Sequence, residues 1–203
     1  MNRTVFRSLT RIFILLSLIA GTNLLTGCGV QSIPRQYNEV EATWAEVQNQ
    51  FQRRADLIPN LVETVRGFAN QEQGVLVGVT EARAKATSMN ISVDDLNEEN
   101  LKKIQEAQGQ LRSALGRLLA VAENYPALKS DQNFRDLQAQ LEGTENRITV
   151  ARQRYIESVK QFNNLITVFP TSLTNSLFFH HQKKPQFAVE NLNELQKPPA
   201  VKF

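Results

Sequence analysis

Only one cysteine, Cys28, occurs in the 203 residues. That excludes an intramolecular disulfide and a thiolate metal cluster. Histidine is nearly as scarce: His180 and His181 are neighbours in a polar stretch, with no clear third ligand placed beside them, a poor basis for a metal site. Neither a Gly-x-Ser-x-Gly elbow nor a phosphate-binding glycine loop is present, and helical periodicity turns most paired carboxylates outward. The nucleophile, base and oxyanion donors of a hydrolase are therefore not assembled. One Trp, three Tyr, and Gly and Pro gathered near the ends and at apparent breaks suit helices better than sheets. Net charge is lacking too. The formal +3 belongs to residues 1–27, which hold Arg3, Arg7 and Arg11 and no acid; the remainder carries 20 basic and 20 acidic residues. Without a basic field, nucleic-acid binding loses its simplest support. The expectation is a non-enzyme with no cofactor and no metal.

What is present begins with an address. Three arginines in residues 1–11 precede the apolar run Ile-Phe-Ile-Leu-Leu-Ser-Leu-Ile-Ala of residues 12–20. A spanning helix needs about 20 apolar residues, so this is the pattern of a secretory signal peptide. Leu25-Thr26-Gly27-Cys28 follows and resembles the lipobox of bacterial lipoproteins. The resemblance implies diacylglycerol on the Cys28 sulfur, cleavage before it and acylation of the new amino group. Each buried methylene contributes about 0.8 kcal/mol, so several chains hold a protein on a membrane permanently. The alternative is an uncleaved signal anchor with an idle thiol. Gly29 after the cysteine leans against inner-membrane retention in a two-membrane cell. Residues 1–27 are thus expected as signal peptide, 28–35 as a lipidated tether, 36–170 as the folded part and 171–203 as a tail.

The folded part reads as four amphipathic helices. Tyr37, Val40, Trp44, Val47, Phe51, Ile58 and Leu61 recur at alternating steps of three and four, with Arg54 or Ala55 filling the gap. The stripe resumes after Pro59 as Leu61, Val65, Phe68, Glu72, Val75, Val79, Ala82 and Ala86. One helix over 36–88 would be about 80 Å long, which no later segment could cover. The expectation is a break at Pro59, with Asp56 capping and the proline in the first turn of a second helix. A kinked continuous helix is the alternative, because the register survives. Glu72 falls on the seam and needs a partner or an outlet to solvent. A third helix follows a break over 88–100, where Ser92 caps and Asp94 and Asp95 sit in the first turn. It carries Leu101, Ile104, Gln108, Leu111, Leu115, Leu118, Ala122 and Tyr125, and Asn124-Tyr125-Pro126 ends it. The fourth starts near Ser130-Asp131, runs from Phe134 through Thr144 and Tyr155 to Phe169, and stops at Pro170. The fold class is all-α: a long antiparallel, up-and-down four-helix bundle with a short extended C-terminal tail. Gln108, Thr144 and Tyr155 on the seams could surround polar space, so a soluble ligand in the bundle stays open.

Several stretches together resemble the LemA family of bacterial membrane-associated proteins. They are Gly27-Cys28-Gly29, residues 52–62 (Gln-Arg-Arg-Ala-Asp-Leu-Ile-Pro-Asn-Leu-Val), 64–69, 79–84, 123–129 (Glu-Asn-Tyr-Pro-Ala-Leu-Lys), Asn133-Phe134, 141–148, Ala151-Arg152, Phe169-Pro170 and the closing Pro199-Ala200-Val201-Lys202-Phe203. The order is kept over nearly all of the chain after the signal. The family often has His-Glu where this chain has Gln71-Glu72, and Tyr-Asn where it has Tyr155-Ile156. The resemblance implies a long antiparallel helical bundle and no established enzymatic activity.

The functional expectation is a membrane-anchored cell-envelope protein with a non-enzymatic binding or scaffold role, the bundle lying outside the cytoplasm. Its partners are the membrane, through the lipid on Cys28, and an unidentified envelope protein. The candidate contact surface is the bundle end bearing Arg53, Arg54, Asp56 and Asn60. The competing role for these residues is internal: Asp56 to backbone amides and the arginines to acids on neighbouring helices. A self-assembling coat is the alternative function, since long seams can self-associate.

Overall fold

The computed structural model describes residues 30–89 and 91–187. Cys28, the signal segment and the closing residues 188–203 lie outside the described residues. The chain is all-α. Helix α1 is Ser32–Phe68, α2 Gln73–Thr87, α3 Glu98–Val121, α4 the short Pro126–Ser130, α5 Gln132–Thr167 and α6 the single turn Thr171–Thr174. A 3₁₀ turn (Ala122–Asn124) precedes α4, and a π turn (Asn175–Phe179) follows α6. There is no strand among the described residues. The chain divides into two compact units, Met1–Ala42 with Glu157–Lys184, and Thr43–Ile156 with Pro185–Phe203, so α1 and α5 contribute residues to both.

The expected break at Pro59 is corrected: α1 passes through the proline and ends nine residues later. Proline has no N–H, so the carbonyl four residues back, on Ala55, loses its helical donor. Arg83 of α2 supplies another, its Nε–H reaching the Ala55 oxygen at 2.8 Å. The reversal falls instead at Ala69–Glu72, where the Glu72 amide donates to the Ala69 carbonyl at 3.0 Å. Asp56 therefore lies inside the helix and not at its start, and its Oδ1 accepts from Gln52 Nε2 at 2.6 Å. Phe68, placed on the seam by periodicity, is exposed and Ala69 is buried in its stead, because the helix ends between them.

A second correction concerns the start of α3. Ser92 pins a turn with Asp95, whose amide donates to the Ser92 hydroxyl at 3.3 Å. The helix itself is capped by Asn97, whose Oδ1 accepts from the Asn100 amide at 2.8 Å, and Glu98 and Glu99 occupy the first turn where the helix dipole favours acids. The start of α5 conforms to the reading: Asp131 Oδ1 accepts from the Phe134 amide at 2.9 Å.

In the larger unit the core joins Ile58, Leu61 and Val65 of α1, Leu76 and Val79 of α2, Leu111, Leu115 and Leu118 of α3, Leu128, and Phe134 and Leu141 of α5. Within it α1 and α5 run antiparallel. Their contacts step from Arg54 with Glu145, through Glu46 with Arg154, to Trp44 with Tyr155. The seam of α3 is buried from Leu101 through Ala122, as its spacing requires.

In the other unit Ile33, Val40, Val159, Phe162 and Ile166 are buried. Tyr37 meets Phe162 edge-on, and the His181 ring stacks on Tyr37 at 4.9 Å between centroids. Two asparagines fix the chain after α5 through paired backbone hydrogen bonds. Asn175 donates to the His181 carbonyl and accepts from its amide, both at 3.0 Å. Asn163 does the same for Lys184, both at 2.9 Å. Residues 171–179, the first part of the expected tail, are two helical turns and not an extended strand. Phe169, assigned to the α5 seam, is 78% exposed because α5 ends at Thr167, ahead of the cis Phe169–Pro170 bond.

Candidate functional site

One turn before Pro59 the same helix buries a guanidinium. Arg54 is 1% exposed. Its Nη1 donates to Glu145 Oε1 of α5 at 2.6 Å and its Nη2 to Gln108 Oε1 of α3. A buried cation is tolerable only when it is paired and hydrogen-bonded, and this one ties three helices of the unit together. Glu145 reaches solvent, with 36% of its side chain exposed, so the pair is anchored inside and hydrated at its acidic end. Arg54 Nε has no partner among the described residues. A cavity of about 10 Å³, room for roughly one water, lies beside the group and is bordered by Gln105, Arg112, Arg152 and Phe187.

The four residues proposed as one contact surface are thus divided by the structure. Arg54 is interior and cannot face a partner; the reading of the arginines as partners of acids on neighbouring helices holds for it. Arg53, Asp56 and Asn60 are exposed on α1. They sit within the length of α1 and not at a helix end.

Gln108 also borders a larger cavity of about 270 Å³, with Gln48, Asn49, Phe51 and Gln52 of α1 and Ala86, Thr87 and Met89 at the end of α2. Trp44 Nε1 and Gln48 Nε2 both donate to the Ile91 carbonyl, at 2.9 and 3.0 Å, and so fasten the loop that borders it. Among the described residues the lining is rich in amides and has no charged residue, which suits a neutral hydrogen-bonding ligand and supplies no acid or base. Gln108 was legible as a polar member of the α3 seam. Arg83, which makes the continuous α1 possible, was not, because nothing in the spacing links it to a carbonyl 28 residues earlier.

Thr144 and Tyr155, the other polar seam residues, turn away from any shared space. The Thr144 hydroxyl donates to the Gln140 carbonyl of its own helix at 2.8 Å. Tyr155 donates to the Pro185 carbonyl at 3.0 Å, and burial pushes its phenol well above the ordinary tyrosine range. Phe187 closes this end of the unit, edge-on to Tyr155 at 5.5 Å between centroids, with the Arg152 guanidinium 4.6 Å from its ring centre. Glu72 lies in the reversal, half-exposed, and accepts from the Tyr125 hydroxyl at 3.0 Å, while Gln71 donates to that hydroxyl at 2.7 Å. Cys28 lies outside the described residues. Among the described residues no group of three His, Cys, Asp or Glu is placed to hold a metal ion, and no helix is long and apolar enough to cross a membrane.

The model of the LemA family matches residues 43–203. The chain belongs to the LemA family. Its similar proteins include the magnetosome protein MamQ of Magnetospirillum gryphiswaldense, 24% identical over 151 residues, a match covering 66% of this chain and 56% of MamQ. Magnetosome protein MamQ 2 of Paramagnetospirillum magneticum is 25% identical over 149 residues, 65% of this chain and 55% of that protein. Protein LemA of Metamycoplasma hominis is 26% identical over 138 residues, 68% of this chain and 59% of its own length. The chain therefore spans little more than half the length of the curated relatives it matches. The family match takes in the Pro59 segment, Arg54 and Arg83, so the buried centre lies inside the family's region.

Proposed function

We propose that this LemA-family chain is a lipoprotein of the bacterial cell envelope, anchored through Cys28, that presents its helices outside the cytoplasm as a binding scaffold for another envelope protein and catalyses no reaction. The observation that carries the reading is Leu25-Thr26-Gly27-Cys28, with the chain's only cysteine, separated by four residues from a preceding apolar run that is too short to span and is led by three arginines. The site geometry agrees. Arg54, Gln108 and Glu145 are committed to one another, and Tyr155 to a backbone carbonyl, as in a structural centre and not a reactive one. Arg53, Asp56 and Asn60 form the candidate contact surface on α1. The test is Arg53→Ala/Asn60→Ala in the anchored protein, with thermal stability and cross-linked envelope partners read on the same sample. Unchanged stability with selective loss of one cross-linked partner supports the scaffold surface. Unchanged stability with an unchanged cross-link pattern removes it.

A further inference from the structure

The large apolar side chains left exposed are not evenly spread. Val168, Phe169, Leu173, Leu177 and Phe178 all fall within the eleven residues 168–178, in the unit that also holds the start of α1. Phe169 and Phe178 are 78% and 70% exposed. Leu173 and Leu177 are one helical turn apart, so they share a face. Two features say what covers this patch. The first is position. Val30, also exposed, stands two residues after Cys28. Tyr37 packs on Phe162, and one turn back on α1 and one turn on along α5 come the buried Ile33 and Ile166. Continuing that antiparallel step sets Val30 beside the end of α5 and the patch that follows it. The second is charge. Residues 168–187 contain no acid, and three residues separate the apolar turns from the exposed Lys183 and the half-buried Lys184, the latter with its ammonium 5.5 Å from the Tyr37 ring centre. An apolar, uncharged turn bordered by lysines matches the boundary between acyl chains and anionic headgroups.

We propose that residues 168–178 insert into the bilayer surface beside the lipid anchor, forming a second, non-covalent membrane contact. This rests on the reading of Cys28 as the anchor. The cis Phe169–Pro170 turn, α6 and the π turn are the inserting element, with the Asn163 and Asn175 hydrogen bonds holding the chain behind it.

The test reconstitutes the full chain into vesicles of phosphatidylcholine and phosphatidylglycerol that carry a lipid with a photoactivatable acyl chain. Labelled peptides and the mass of the N-terminal peptide are read together by mass spectrometry. The proposal expects acyl-chain label in 168–178, reduced about tenfold by Phe169→Ser/Leu177→Ser/Phe178→Ser at unchanged melting temperature. It also expects a several-fold decrease when phosphatidylglycerol is omitted. An acylated N-terminal peptide with no label in 168–178 overturns insertion and leaves the anchor standing. Label in 168–178 with an unacylated Cys28 supports insertion and removes the anchor. Protection of 168–178 by a second copy or by residues 188–203, seen as protein cross-links replacing lipid label, also overturns it.

Discussion

Replacing Arg83 by methionine should be costly only while Pro59 is present. Methionine keeps most of the apolar stem and removes the donor. In the parent chain the Ala55 carbonyl, on a residue 1% exposed, would then face neither a helical amide nor a guanidinium. Charge-assisted hydrogen bonds contribute about 1.5–3 kcal/mol, and a buried unsatisfied carbonyl costs about the same. Arg83 is only half-buried, which argues for the lower part of that range, about 2 kcal/mol. In a Pro59→Ala background the new amide at position 59 donates to the Ala55 carbonyl directly, so Arg83→Met should cost only about 0.5 kcal/mol. The double-mutant cycle then gives a coupling of about 1.5 kcal/mol. Urea unfolding followed by Trp44 fluorescence is a suitable assay, because Trp44 is buried and hydrogen-bonded to Ile91. With a slope of about 2 kcal/mol per molar urea, the midpoint should fall by about 1 M in the parent and by about 0.25 M in the Pro59→Ala background. Equal shifts in the two backgrounds, to within about 0.3 kcal/mol, would refute the reasoning.

Three further outcomes follow from the same contacts. Arg54→Ala should destabilise by about 3 kcal/mol, since Gln108 loses its donor partner and a cavity opens, while Glu145 limits the loss by rehydrating; Arg54→Met/Gln108→Leu should restore most of it, and a single-variant cost below about 1 kcal/mol in urea titration contradicts the burial. Phe187→Ala should cost about 2–4 kcal/mol and change Trp44 emission, because the ring packs on Trp44 and Tyr155; an unaltered spectrum and stability would show that Phe187 does not close the unit. Tyr155 has a raised folded-state pKa, so the folded form retains its proton at pH values where the unfolded phenol has lost its own. Its contribution is present in full below the unfolded value near pH 10 and is lost as pH rises towards the folded value, so stability should fall above about pH 10. Tyr155→Phe should flatten that decline; a slope identical in both proteins would assign it to other groups.

Helical content and the seams of α3 and α5 were legible because a period near 3.6 is a local property of the chain, and Leu101 through Leu118 and Phe134 through Ile166 obey it. Pro59 was misread because its compensation is not local. The donor that makes a mid-helix proline tolerable comes from Arg83, on another helix. Ser92 and Asn97 show a similar limit: both have capping chemistry, and only the path of the chain decides which of them starts α3. At the site, Gln108 and Glu145 could be placed on their helices from spacing, but not their convergence on Arg54, since charges three or four apart along α5 suggest a solvated face equally well. Val168 and Phe169 read as the end of the fourth helix and residues 171–178 as tail because Pro170 was expected to stop that helix, and nothing in the pattern foretold two further helical turns.

The account depends most on Cys28. The direct measurement is the intact mass and membrane partition of the native protein beside Cys28→Ser. Loss of residues 1–27, added acyl mass on the cysteine and release of the variant from the membrane are the predicted results. An unprocessed chain that stays in the membrane with serine at position 28 would contradict the lipoprotein reading and return Arg3, Arg7 and Arg11 to the functional protein.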